Sequence, residues 1–128
     1  MLLLLSSVMM LTGCTASTLP EFDAEQTDRD VIPEGPAQPE IDLDSTRYVG
    51  EVEGAQLYLA HGGNDGICLI HIRDQEWEQT GCGAGDGMGS ELESGTLIEV
   101  GSFRFPEDKA AGGQRTRLSE SVSVISYP

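Results

Sequence analysis

Glycine-rich turn signals divide residues 45–128 into short β-rich runs, and the spacing of these turns constrains the fold more than any other feature. The first signal is at residues 53–54 and the second spans residues 62–66. Between them Leu57 and Leu59 alternate with residues of the opposite face, as in a strand. No stretch keeps a period of 3.6 residues over three turns. The pattern predicts an all-β domain of about six short strands, closed as a small antiparallel sandwich or barrel.

Two later runs complete the predicted strand set. Residues 96–105 and residues 121–127 are rich in β-branched and aromatic side chains, and in the second run Val122 and Val124 are two positions apart. The intervening stretches are rich in glycine and polar residues, which predicts loops. These two stretches are residues 81–95 and 106–120.

The amino terminus predicts export and a lipid anchor. The apolar run from Leu2 to Leu11 is shorter than the roughly 20 residues of a spanning helix, but it has the length of a signal-peptide apolar region. It ends in Leu11-Thr12-Gly13-Cys14, which resembles the lipobox of bacterial lipoproteins. The resemblance implies that residues 1–13 are a signal peptide and that Cys14 is acylated, for example with palmitate. Two acyl chains are enough for stable anchoring. We therefore expect localisation at the extracytoplasmic face of the cell membrane.

An acidic, proline-containing stretch follows the cysteine. Residues 21–44 carry nine acidic side chains and one arginine, with prolines at 33, 36 and 39. High like charge and low hydrophobicity favour disorder, so residues 14–44 are predicted to be a disordered tether. Thirty residues of flexible coil span about 30 Å, which would let the domain of residues 45–128 float off the membrane. An acidic segment that captures a basic partner or cations is the alternative interpretation.

The charge balance excludes one class of partner. The chain has 7 Lys and Arg against 22 Asp and Glu, a net charge of -15. Such a molecule repels phosphate backbones, so nucleic-acid binding is not expected.

Cys68 and Cys82 are predicted to form a structural disulfide. Export places the thiols in an oxidising compartment, and Cys14 is used for lipidation, which leaves an even pair. If residues 67–73 and 77–83 form a hairpin around residues 74–76, the register that pairs Arg73 with Trp77 also pairs Cys68 with Cys82. Directly opposed residues of antiparallel strands are within disulfide range. The same parity turns His71 to the other face, and Trp77 is expected to pack beside the disulfide.

Alternatives to the disulfide are weaker. A zinc site would recruit His61, Cys68, His71 and Cys82, but Cys68 and His71 have opposite parity on one strand and so face opposite ways. A redox pair would be favoured by a C-x-x-C motif, which the sequence lacks. We therefore predict no metal site and no cofactor.

These observations give two functional hypotheses. The preferred one is a membrane-anchored lipoprotein that displays a small non-catalytic β domain, a binding or accessory module of the cell envelope with a protein partner. The other is a small extracytoplasmic hydrolase or metal-binding protein that uses His61 or His71. The combination of lipobox, acidic spacer and small β domain with one cysteine pair resembles small lipoproteins of high-GC Gram-positive bacteria. The sequence carries no catalytic motif such as G-x-S-x-G or H-E-x-x-H, so we expect no enzyme.

Overall fold

Two four-stranded antiparallel sheets stack face to face in the computed structural model, which describes residues 19–36 and 40–128. The first sheet has the order β1-β2-β3-β4, and the second has the order β5-β6-β8-β7. The predicted all-β sandwich is confirmed, whereas a closed barrel is not formed. The strands are β1 (Asp42–Val52), β2 (Ala55–His61), β3 (Ile67–Arg73), β4 (Glu76–Gly83), β5 (Gly87–Glu91), β6 (Leu97–Gly101), β7 (Gln114–Arg117) and β8 (Val122–Ser126).

The inner faces of the two sheets form the main core. Alternate residues of each strand point inward, and directly paired residues share a face. The resulting cluster contains Leu57, Leu59, Ile67 and Leu69 from the first sheet and Met88, Ile98, Val100 and Val122 from the second.

Eight strands are present where about six were expected, because β5 and β7 lie inside stretches predicted to be loops. All four residues of β7 are exposed, so its side chains give no apolar alternation, yet it pairs with β8 along its length. Strand β5 contains Gly87 and Gly89 and pairs with β6. A Cβ at Gly89 would overlap the ring of Phe103, so glycine is needed for this close approach and not for a flexible loop.

The outer face of the first sheet is also buried, by the N-terminal segment, which we define as residues 19–36. This second cluster contains Ile41, Tyr58, Ala60, Cys68, Ile70 and Ile72, with Ile32, Tyr48 and Trp77 packed against it. The Trp77 Nε1–H donates a hydrogen bond to the Pro33 carbonyl over 2.9 Å. A Cβ at Gly35 would overlap the Trp77 ring. The first sheet is therefore covered on both faces.

The prediction of a disordered tether over residues 14–44 is wrong for the part that the structure describes. Residues 20–23 and 28–30 form 3-10 turns, and β1 begins at Asp42, inside the predicted tether. The composition of this stretch is acidic enough to favour disorder, but two of its apolar side chains, Leu19 and Ile41, are each only 6% exposed. Burial of these side chains against the sandwich stabilises an ordered conformation of this stretch. The other residues of the predicted tether, 14–18 and 37–39, lie outside the described residues.

Polar contacts fix the N-terminal segment along β1. The Asp30 carboxylate accepts a hydrogen bond from the Tyr48 backbone N–H over 2.8 Å, and the Thr46 hydroxyl donates to the Asp30 carbonyl over 2.7 Å. The hydrogen bonds that Asp30 accepts from Thr27 and Tyr48 and the nearby Arg47 charge hold the pKa of its carboxyl below the ordinary value, despite its partial desolvation. An acidic residue that sequence reasoning assigned to a solvated spacer is therefore part of the fold.

Candidate functional site

The cysteine hairpin has the predicted register from Ile67 to His71. Cys68 is directly opposite Cys82 in the pairing of β3 with β4, and their sulfur atoms lie 2.11 Å apart, at disulfide distance. Cys68 is fully buried in the outer cluster of the first sheet, whereas Cys82 is exposed. Trp77 packs against the same cluster, but it pairs with Ile72, four residues along β3 from Cys68, and not beside the disulfide as expected. Cys14, the predicted lipidation site, lies outside the described residues.

The end of this hairpin differs from the predicted register. Arg73 pairs with Glu76 and not with Trp77, because residues 74–75 form a two-residue turn, with φ of 52° and 67°, in place of a three-residue one. A bulge at Glu78 then restores the register, so that His71 pairs with Gln79. Positive φ at both central residues is the geometry of a type I′ hairpin turn. The bulge turns the Glu78 side chain toward Arg73, and the Arg73 Nε lies 2.8 Å from its carboxylate.

His71 lies inside the sandwich. It pairs with the core residue Leu57 and is only 2% exposed. Burial lowers the pKa of the His71 imidazole below its ordinary value of 6.5; the Glu78 carboxylate opposes this shift and Arg73 adds to it. A neutral imidazole enclosed in this way has no access to a substrate in solution.

His61 lies at the opposite end of the same strand pair. Leu57 and His61 are four residues apart on β2, which separates the two histidine positions by roughly 13 Å. The ring of Phe22 stacks on His61 with 4.0 Å between centroids. The four residues of the alternative zinc site are not brought together, and no group of three or more His, Cys, Asp or Glu side chains within residues 19–36 and 40–128 is arranged to hold a metal ion.

A polar cleft of about 400 Å³ opens at one end of the sandwich. Three connections meet there: the turns β1–β2, β3–β4 and β5–β6. We call this feature the polar cleft, and its lining residues are Glu53, Arg73, Glu78, Gln79, Leu92, Glu93 and Ser94.

Arg73 and Ser94 organise the polar cleft. The Arg73 Nη1–H donates to the Glu53 backbone carbonyl over 2.7 Å, while its Nε is engaged by Glu78. The Ser94 hydroxyl donates to the Glu53 carboxylate over 3.0 Å, which links the two sheets. Hydrogen bonds from the side chains of Thr96 and, to a smaller extent, Ser94 lower the pKa of the Glu53 carboxyl. Glu53 is therefore ionised at neutral pH.

The charge of the polar cleft selects the kind of group it can hold. Glu53, Glu78 and Glu93 supply three carboxylates, and Arg73 is the cation among the lining residues. With Arg73 held by Glu53 and Glu78, the remaining field is negative. The cleft therefore suits a cationic group such as a lysine or arginine side chain or a protonated amine.

A second surface is apolar. Val31 is 59% exposed and Leu43 is 53% exposed, and both line a groove of about 350 Å³ with Ile32 and Pro33. This groove lies where the N-terminal segment meets the start of β1. Two exposed aliphatic side chains form a small patch, which is common on protein surfaces.

Sequence reasoning missed the polar cleft and a buried ion-pair cluster on the second sheet. Glu99 in β6 is fully buried; its carboxylate accepts hydrogen bonds from Arg115 Nε and from the Phe105 backbone N–H. An acidic residue between the apolar Ile98 and Val100 was the available signal. The polar cleft had only weaker signals, because its residues come from three turns that are distant in sequence.

Comparisons with known proteins identify no relative: no protein-family model matches this chain, and neither a curated protein nor a solved structure does. Among residues 19–36 and 40–128, no helix has the length and hydrophobicity of a membrane span.

Proposed function

We propose that this protein is a lipoprotein anchored at the extracytoplasmic face of the cell membrane through acylated Cys14, and that it displays its β domain as a non-catalytic binding or accessory module of the envelope. The observation that carries the proposal is the apolar run that ends in Leu11-Thr12-Gly13-Cys14. A cysteine pair at disulfide distance supports it, because disulfides persist in exported proteins.

The partner-binding surface in this proposal is the polar cleft. It combines a concave shape with several convergent charged groups, and its carboxylates favour a cationic segment of an envelope protein. Neither histidine lines the polar cleft. The proposed role is therefore recognition without catalysis.

Lipidation is tested by growing cells with a labelled fatty acid and isolating the protein. We expect the wild type to carry the label and to fractionate with membranes, and the Cys14→Ser variant to lose both properties. A matched control, Cys68→Ala with Cys82→Ala, removes the other two cysteines but keeps the lipobox, so it should retain the label. An unlabelled wild type would refute the anchor.

Partner binding is tested by photo-crosslinking in intact cells from a probe that replaces Glu93, an exposed residue in the lining of the polar cleft. Crosslinks to an envelope protein should weaken when Glu53 and Glu78 are changed to Gln. The control variant changes the exposed acids Glu107 and Asp108 to Gln, an equal loss of charge elsewhere. Equal crosslinking in both variants would show that the polar cleft is not the binding surface.

A further inference from the structure

Leu19 fixes the point at which the chain leaves the sandwich. It is 6% exposed and belongs to the main core. A Cβ at Gly101 would lie 3.2 Å from Leu19 Cδ2, which places Leu19 against the end of β6. The core therefore holds this residue firmly, and the path of the N-terminal segment starts at this end of the sandwich.

Glu21 and Phe22 strengthen the same attachment. The Glu21 carboxylate accepts hydrogen bonds from the Ser119 hydroxyl over 2.5 Å and from the Ser121 backbone N–H over 2.9 Å. These contacts lie in the β7–β8 turn. Phe22 stacks on His61, at the end of β2. Both sheets thus hold the first residues of the N-terminal segment.

Strand directions place the polar cleft at the other end. Strand β3 runs from Ile67, paired with His61, to Arg73 in the polar cleft, and β6 runs from the cleft side to Gly101. We call the end with Leu19, His61 and Gly101 the anchor end. Seven residues of β3 separate the two ends by about 20 Å.

The distance from the anchor end to Cys14 is short. Five residue steps join Cys14 to Leu19, so even a fully extended chain spans no more than about 18 Å. This limit is less than the 30 Å expected for a long coil, and it holds whatever path those residues take. A lipid on Cys14 would therefore keep the anchor end close to the membrane.

We propose that the anchor end faces the lipid surface and that the polar cleft points away from it, toward a partner that approaches from outside the membrane plane. This inference rests on the proposed lipidation of Cys14. The exposed acidic side chains of Asp65 and Glu120 at the anchor end repel anionic headgroups. The domain therefore lies near the membrane surface and does not insert into the lipid.

The orientation is tested with the full lipidated chain in vesicles of zwitterionic and anionic phospholipid that contain a fluorescent acceptor lipid. A donor dye is attached at Glu120→Cys, at the anchor end, or at Glu93→Cys, beside the polar cleft; both side chains are exposed. The donor at position 93 should lie about 20 Å farther from the lipid surface and transfer less energy.

A matched control inserts a flexible 20-residue Gly-Ser spacer between Ser17 and Thr18, which leaves every described contact intact. The spacer should lower transfer from position 120 and reduce the difference between the two positions. Vesicle-bound protein with equal transfer from both positions would overturn the orientation alone. Protein that carries no lipid and does not bind vesicles would overturn the proposed anchor and the orientation with it.

Discussion

The two sheets of this sandwich protect their outer faces in different ways. The N-terminal segment covers the first sheet and encloses an apolar cluster with the disulfide beneath it. Residues 102–113 cover the second sheet, and there a fully buried acid, Glu99, lies between Phe105, Arg104 and Arg115. The first cover combines a large apolar area with polar contacts to the sheet, whereas the second is built around a buried carboxylate and its hydrogen bonds. The stability gained from burying apolar area changes little when one polar contact is lost. A buried carboxylate, by contrast, destabilises the fold once its hydrogen-bond partners are removed.

The largest expected effects come from truncating one buried isoleucine on the outer face of each sheet. Ile70 is 0% exposed and Ile125 is 1% exposed. We expect Ile70→Ala to lower the free energy of unfolding by about 4 kcal/mol and Ile125→Ala by about 2 kcal/mol, because a cavity costs more where its walls cannot collapse. Strands, the N-terminal segment and the disulfide surround Ile70, whereas the loop at Gly113 lies over Ile125. Urea unfolding of both variants measures the difference, and equal losses would show that the two covers are equally rigid.

The disulfide is expected to rank next. Changing Cys68 and Cys82 together to Ala should lower the free energy of unfolding by about 3 kcal/mol, since the crosslink closes a loop with a sequence separation of 14. Urea unfolding with and without reductant gives the same quantity for the wild type. If reductant shifts the midpoint of the double variant as much as that of the wild type, the effect does not come from this bond.

Glu99 tests the charged cover of the second sheet. Glu99→Ala removes the acceptor of the Phe105 N–H and the partner of Arg115, and we expect a loss of about 2 kcal/mol in the free energy of unfolding. The matched control is Glu91→Ala, whose ion pair with Lys109 is exposed and should contribute at most about 0.5 kcal/mol. Similar small losses in both variants would mean that the buried pair contributes little.

The smallest effect concerns pH and His71. Because burial lowers the pKa of this imidazole in the folded state, the unfolded chain binds the proton first as pH falls below 6.5. Stability is therefore complete above pH 6.5 and declines as pH falls toward the folded pKa, by at most about 1.4 kcal/mol per pH unit. Thermal unfolding between pH 7 and about pH 5 should show a weaker pH dependence for His71→Leu than for the wild type. An unchanged slope would assign the decline to another group.

Carboxyl groups contribute to the pH dependence of stability at lower pH than His71 does. Glu21 and Asp30 have pKa values below their ordinary 4.5 and 3.8, so their contribution is complete above these values and is lost as pH falls further. Measurements above pH 5 therefore isolate His71 from both.

Local pattern was sufficient for the fold class and for the cysteine pairing. Turn residues marked the ends of β1 and β2, and strand parity placed Cys68 opposite Cys82 and turned His71 to the opposite face of the strand. The all-β sandwich and the pairing of the two cysteines could be predicted because they depend on neighbours in sequence, whereas the two-residue turn and the bulge at Glu78 were not predicted. The lipobox prediction is equally local, and it stays a prediction until lipidation is measured.

Features formed by residues distant in sequence could not be predicted. The ordered path of the N-terminal segment depends on an apolar face that is assembled only when β2 and β3 pair. Strand β7 is recognisable only through its hydrogen bonds to β8, since every side chain in it is exposed. The polar cleft joins three turns, and the charges of Glu53, Arg73 and Glu78 converge there through tertiary packing.

By itself the sequence determined which residues alternate, where turns interrupt them and which cysteines can meet, because strand parity and turn chemistry are set by adjacent residues. The position of the acidic, proline-containing stretch against the sandwich is instead a property of the folded domain. The physical reason is that its net charge is a property of composition, whereas the burial of Leu19, Ile32 and Ile41 requires a partner surface. That surface exists only in the folded domain.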